Sequence, residues 1–100
     1  MSDTAYLKEA RRKAKAYGLD PKKLKLSDDS EHKLNYDGVL FGKKGMNDYI
    51  LWSYQEKNKQ VPIGTADKHR KLYLARATKI RGKWALNKTS PNNLAIHILW

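Results

Sequence analysis

Leu34-Asn35-Tyr36-Asp37-Gly38-Val39-Leu40-Phe41 carries the strongest local signal in the chain, because Asp-Gly sits between two short apolar runs. A two-residue hairpin turn matches the twist of its strands when both central residues take positive φ, and Asp followed by Gly tolerates that best. The turn then sets the register. Tyr36 pairs with Val39 and Leu34 with Phe41, all four on one face, with Asn35 and Leu40 behind. The hairpin therefore has one apolar face to bury.

Downstream, Asn47 is a good N-cap for the run Asp48-Tyr49-Ile50-Leu51-Trp52-Ser53-Tyr54. That run suits a buried strand as well as a helix, and the helix formers Gln55-Glu56-Lys57 that follow favour helix. Val61-Pro62-Ile63-Gly64 breaks the chain, and a further helix runs from 65 or 66 to 80, ahead of Gly82. A last short helix starts with Ser90 as N-cap and Pro91 in its first turn, docking Leu94, Ile98 and Leu99 into the core.

Upstream of the hairpin, the acidic run over 27–31 reads as a solvated linker. Before it, a helix over 4–17 has Asp3 or Thr4 as N-cap and Gly18 as its stop. Tyr6, Leu7, Ala10, Ala14 and Tyr17 share one side of it, and Lys8, Arg11, Arg12 and Lys15 crowd the other. This apolar stripe is thin. Residues 1–31 are thus expected to form a basic helix and linker beside a core over 32–100, with 1–26 dispensable for folding. The fold expected is α+β, a single small domain in which a two-stranded antiparallel hairpin packs against three to four short helices. Trp52, Leu72, Leu94, Ile98 and Trp100 are expected to join the hairpin face in one core.

A chain of 100 residues organises one core. Its formal charge is +11, which calls for a negative partner: nucleic acid, an anionic membrane surface or an acidic protein. The charge is uneven. Residues 1–26 hold 8 basic and 3 acidic groups, 27–60 hold 5 and 6, and 61–100 hold 8 and 1. No segment approaches the ~20 apolar residues of a membrane span, and the start Met1-Ser2-Asp3-Thr4-Ala5 lacks the pattern of a secretory signal, so an intracellular protein is expected. Without cysteine, disulfides, thiolate metal sites and thiol catalysis are excluded.

Two features bear on binding. Gly42-Lys43-Lys44-Gly45 joins the hairpin to a helix, so backbone N–H groups, a helix N-terminus and two ammonium groups are placed to converge on one phosphate; the alternative is a glycine-rich connection with solvated lysines. The spacing is similar to the Gly-x-x-Gly clamp of KH domains, but those set it between two helices, and here a hairpin precedes it. The second feature is the cluster Lys68, His69, Arg70, Lys71, Arg76, Lys79, Arg81 and Lys83, opposed only by Asp67. Its basic residues suit phosphates, whereas the interleaved Tyr73 and Trp84 fit a core role better than base stacking. Lys68, Lys71 and Lys79 fall near one helix face and, with Lys43 and Lys44, form the expected patch.

Catalytic constellations are missing. His32, His69 and His97 lie far apart without metal-ligand spacing, and Asp28, Asp29 and Glu31 fall in the expected linker. There is no phosphate-binding Walker loop, dinucleotide fingerprint or nucleophile elbow. A binding protein is expected, with no cofactor and no metal, and not an enzyme.

Phe41-Gly42-Lys43-Lys44-Gly45-Met46-Asn47-Asp48-Tyr49, Lys71-Leu72-Tyr73-Leu74-Ala75-Arg76, Gly82-Lys83-Trp84 and Ser90-Pro91-Asn92-Asn93-Leu94-Ala95-Ile96-His97-Ile98-Leu99-Trp100 come in that order. In order and spacing they resemble a family of small basic proteins of unknown function from nucleocytoplasmic large DNA viruses, the giant viruses of algae and amoebae. The resemblance covers about residues 32–100, the C-terminal block most specifically, and the stretch 11–27 looks like the leader of some members. It carries over no site residues. It implies a setting, in the virion or the infected cell's cytoplasm or nucleus, where such a protein packages the genome or serves as a small structural component. The function expected is sequence-independent nucleic-acid binding through phosphates, DNA ahead of RNA. The competing reading is a minor capsid or scaffold protein with capsid or other virion partners, and a third is an effector that binds a host protein.

Overall fold

The computed structural model describes all residues, 1–100. Its centre is the hairpin: β2 (His32–Tyr36) and β3 (Val39–Lys43) pair antiparallel with Tyr36 opposite Val39 and Leu34 opposite Phe41, the register that the Asp-Gly turn demands. Asp37 and Gly38 take φ of 49° and 92°. The Asn35 side chain accepts the Gly38 N–H at 2.8 Å and locks the turn.

The sheet has three strands, not two. β1 (Leu24–Leu26) adds antiparallel to β2, setting Leu24 opposite Tyr36 and Leu26 opposite Leu34. The acidic stretch after it is a short connection that leaves Asp28, Ser30 and Glu31 exposed, as a solvated linker would, but is pinned at Ser27 and Asp29. Ser27 is buried, and its hydroxyl donates to Asp29 at 2.5 Å, while the other Asp29 oxygen lies 2.7 Å from His32 Nδ1. These bonds hold the Asp29 carboxyl well below the usual carboxylate range.

α1 (Asp3–Ala16) is capped by Ser2, whose hydroxyl accepts the Ala5 N–H, so the cap sits one residue ahead of Asp3. It buries Tyr6, Ala10 and Ala14, and the two alanines let it approach the C-terminal segment closely. Residues from 1–31 are set into the core and do not merely lie beside it: Tyr6, Ala10, Ala14 and Leu24 cluster with Leu34, Tyr36, Phe41, Ile50, Leu94, Ala95, Ile98 and Leu99. What the stripe lacks in width it supplies in fit.

α2 (Tyr49–Lys57) is capped by Asp48 and not by Asn47. Asp48 Oδ1 accepts the Leu51 N–H at 3.0 Å, and Oδ2 accepts the Tyr6 hydroxyl at 2.5 Å and the Lys33 ammonium at 3.0 Å. α3 (Thr65–Ala77) returns against α2, and Glu56 from α2 caps it by accepting the N–H groups of Gly64 and Ala66. It ends three residues short of the expected Ile80. Beyond it, Ser90 and Asn93 fold the chain back by donating to the carbonyl of Trp84. Ser90 then caps α4 (Pro91–Leu94), which widens into a π-type turn over Ala95–Leu99 and buries Leu94, Ile98 and Leu99.

Two expected core residues are elsewhere. Leu72 is 60% exposed, and Trp52 is half-buried against α3. Trp100 packs at the margin of the core.

A Cβ at Gly38 would meet nothing within 4 Å, so a side chain there acts through the backbone alone. Gly38→Val is expected to lower stability by about 1–2 kcal/mol, and Gly38→Asn by less, because only the first is β-branched at positive φ. Denaturant midpoints of the two variants check this; equal midpoints would refute the turn energetics.

Candidate nucleic-acid interface

A cleft of about 1570 Å³ opens between the loop after β3 and the face of α3. On the α3 side its wall is built at helical spacing from His69, Leu72, Tyr73 and Arg76, and the chain extends it through Ile80, Arg81, Lys83 and Trp84. On the other side stand His32, Lys33 and residues 42–47, and buried Phe41 and Leu99 make the floor.

Aromatic rings line much of it. Trp52 stacks on His69 with centroids 4.1 Å apart, and Tyr73 stacks on Trp100 at 4.3 Å, each pair within 10° of parallel. Arg76 lies 5.9 Å over the Tyr73 ring. Trp84 is anchored by its Nε1 on the Ile80 carbonyl at 2.6 Å and stacks on no other ring. Tyr73 and Trp84 are both half-buried, so the core role expected for them is only partly met. Met46 and Ile80 are more than half exposed beside them, as is Leu72.

Of the nine basic residues singled out in the sequence, Lys43, Lys44, Arg76, Arg81 and Lys83 line this cleft. Lys68, Lys71 and Lys79 do not; they are exposed on other faces of α3 and beyond its end, because the apolar and aromatic residues decide which side of the helix turns to the cleft. Arg70 is also outside. Its Nε donates to the Trp100 backbone oxygen at 2.8 Å and its guanidinium lies 5.7 Å over Tyr49, so it ties α3 to α2 and the C-terminal segment.

The glycine loop does not form the expected nest. Its Lys44 N–H is spent on the Glu31 carbonyl, the Lys44 ammonium on the Asp29 carbonyl, and the N-terminus of α2 already holds the Asp48 carboxylate. Gly42 has a packing reason instead: at φ 75°, its Cβ would fall 2.9 Å from Leu99. Lys33, which composition and spacing did not single out, lines the cleft too, but its charge is committed to Asp48. The cleft's carboxylates are that buried Asp48 and the exposed Glu31. Lys43, Arg81 and Lys83 are exposed and hold no ion-pair partner.

Asp29, Glu31 and His32 bring ligand-type atoms within 4.8 Å of one another near the cleft edge. Asp29 is already engaged by Ser27 and His32, so the group reads as a stitched turn. No helix is long and apolar enough to cross a membrane. Comparison with known proteins finds no matching family model, no matching curated protein and no matching solved structure. Function must then be sought in the chemistry of the site itself.

A second groove, of about 560 Å³, runs between α1 and α2 and collects Lys8, Arg12, Lys13 and Lys57. It differs in character. Lys13 Nζ is buried there without a hydrogen-bond partner, 5.5 Å from the Tyr49 ring centroid. Burial pushes this ammonium down to about 8, and Asp48 and Glu9 offset only part of that. The folded chain thus sheds the proton at a lower pH than the unfolded chain. The penalty is full below about 8 and fades as pH rises toward the ordinary 10.5. Above 10.0 the buried Tyr6 hydroxyl, raised by burial and by Asp48, acts in the opposite sense. Lys13→Met is therefore expected to be more stable than the wild type at neutral pH, with the gap narrowing between pH 8 and 10. Denaturation across that range checks it, and a gap independent of pH would show that Lys13 is not held at a burial penalty.

Proposed function

We propose that the protein binds nucleic acid without sequence preference, through phosphate contacts made at the mouth of this cleft. The observation that carries the reading is convergence: Lys43 and Lys44 from the hairpin exit, Arg76 from α3, and Arg81 and Lys83 from the following loop surround one cleft whose only exposed acidic side chain is Glu31. Cations drawn from three separate stretches of chain repel one another, and a polyanion relieves that repulsion while releasing its own counterions. The cleft face of α3 presents His69, Leu72, Tyr73 and Arg76, not the Arg, Asn and Gln array that reads base edges in a major groove, which supports the absence of sequence preference. In the viral setting that the resemblance of the C-terminal block implies, a role on the genome or its single-stranded intermediates makes DNA the favoured partner.

A second reading, a minor capsid or other virion structural protein, draws on the uncovered side chains of Met46, Leu72 and Ile80, a kind of surface that often meets protein.

Titration of the chain with a random nucleic acid at several salt concentrations separates the two. Affinity is expected to fall by roughly 0.9 log units per log unit of salt for each phosphate contacted. Arg81→Glu with Lys83→Glu should weaken binding and reduce that slope by about 1 for each phosphate no longer neutralised, whereas Lys68→Glu with Lys71→Glu should cost less. A larger effect from the Lys68 and Lys71 pair would move the interface off the cleft. Failure of the wild type to bind at about 0.15 M salt would favour the structural role.

A further inference from the structure

We infer that the cleft takes single-stranded nucleic acid, bases inward and phosphates on the rim. This rests on the nucleic-acid reading above and goes beyond it, because phosphate contact alone requires nothing apolar between the cations. The lining here is far from neutral in that respect. All three tryptophans of the chain, Trp52, Trp84 and Trp100, line it together with Tyr73. Trp84 has its polar edge fixed on the Ile80 carbonyl and its ring stacked on nothing. Leu72 at 60%, Met46 at 56% and Ile80 at 52% exposure stand beside these rings with nothing covering them.

Large apolar groups left in water are costly, and the ligand that offsets the cost must be apolar on its inner side and anionic on its outer side. Acid-poor walls and the exposed Lys43, Arg81 and Lys83 set the sign of that outer side. A single strand meets both demands, since each base offers a π-face and each linkage a charge. A duplex does not. Its bases are stacked on one another and show only their edges in the grooves. The volume, about 1570 Å³, exceeds the roughly 300–1,000 Å³ of a small-molecule pocket and suits a short run of nucleotides.

The tryptophans report on their own occupancy. The full chain is titrated, at one salt concentration, with oligo(dT) of about 12 nucleotides, an abasic strand of the same length, the matching duplex and polyglutamate. Oligo(dT) is expected to quench tryptophan fluorescence and to bind at least about 10-fold tighter than the abasic strand or the duplex. Trp84→Ala should lose that preference while keeping the affinity for the abasic strand. Leu72→Ser should do the same, and as an uncharged substitution at an exposed position it leaves both the cleft's charge and the core untouched. Equal affinity for the oligo(dT) and abasic strands, without quenching, would overturn the single-strand inference and leave phosphate binding standing. No binding to any of the nucleic acids would defeat the underlying reading. Polyglutamate bound as tightly as oligo(dT) would replace both with an acidic protein partner.

Discussion

The carboxylate of Asp48 is the constraint around which the rest of this molecule is arranged. It is 2% exposed, and it accepts from three elements at once: the Leu51 N–H at the start of α2, the Tyr6 hydroxyl of α1 and the Lys33 ammonium of β2. An unpaired carboxylate in that position costs several kcal/mol, so each of the three donors offsets a penalty that would otherwise oppose folding. Tyr6 remains a donor well into the alkaline range because burial and Asp48 both push its hydroxyl pKa up. Helix α1 is thereby fixed to the sheet and to α2 by a polar contact as well as by Ala10 and Ala14.

That contact also shapes the cleft. Lys33, once paired with Asp48, reaches the Met46 carbonyl as well and steadies the loop that forms one lip. The opposite lip depends on other polar residues: Ser90 and Asn93 hold the Trp84 carbonyl, and Asn92 donates to the Ala77 carbonyl at the end of α3. The segment carrying Arg81 and Lys83 is thus bounded on both sides by hydrogen bonds to the C-terminal helix. Cations and rings are brought face to face by a scaffold whose fixing interactions lie behind them, which is the arrangement a binding surface needs if its loops are not to collapse on one another.

The hairpin was legible because turn chemistry is local: Asp37 and Gly38 need no distant partner to declare a positive-φ turn, and the period of two then places Leu34, Tyr36, Val39 and Phe41. The cap at Ser90 was legible for the same reason. Where the outcome depended on distant groups, local reading failed. Asn47 and Asp48 are both competent caps, and Tyr6, 42 residues away, is what favours Asp48. Leu24–Leu26 is too short to show its period and becomes a strand only against β2. On the helix expected to run to 80, the charges at Lys68, Lys71 and Lys79 suggested a binding face, but α3 ends before Lys79, and the stacking of His69 on Trp52 and Tyr73 on Trp100 turns another face to the cleft. Five of the nine candidate cations line the cleft even so: Arg76, Arg81 and Lys83 because charge density along 61–100 is high enough that any face of it is basic, and Lys43 and Lys44 because the hairpin exit forms the opposite lip.

Hydrogen exchange of the full chain with and without a saturating oligonucleotide reads the location of binding directly. Amides of 42–47 and 78–84, the two lips of the cleft, are expected to slow on binding, while those of the first turn of α1 and of the β2–β3 turn stay unchanged. Protection confined to α1, or spread evenly over the surface with none concentrated at the lips, would contradict the cleft as the site.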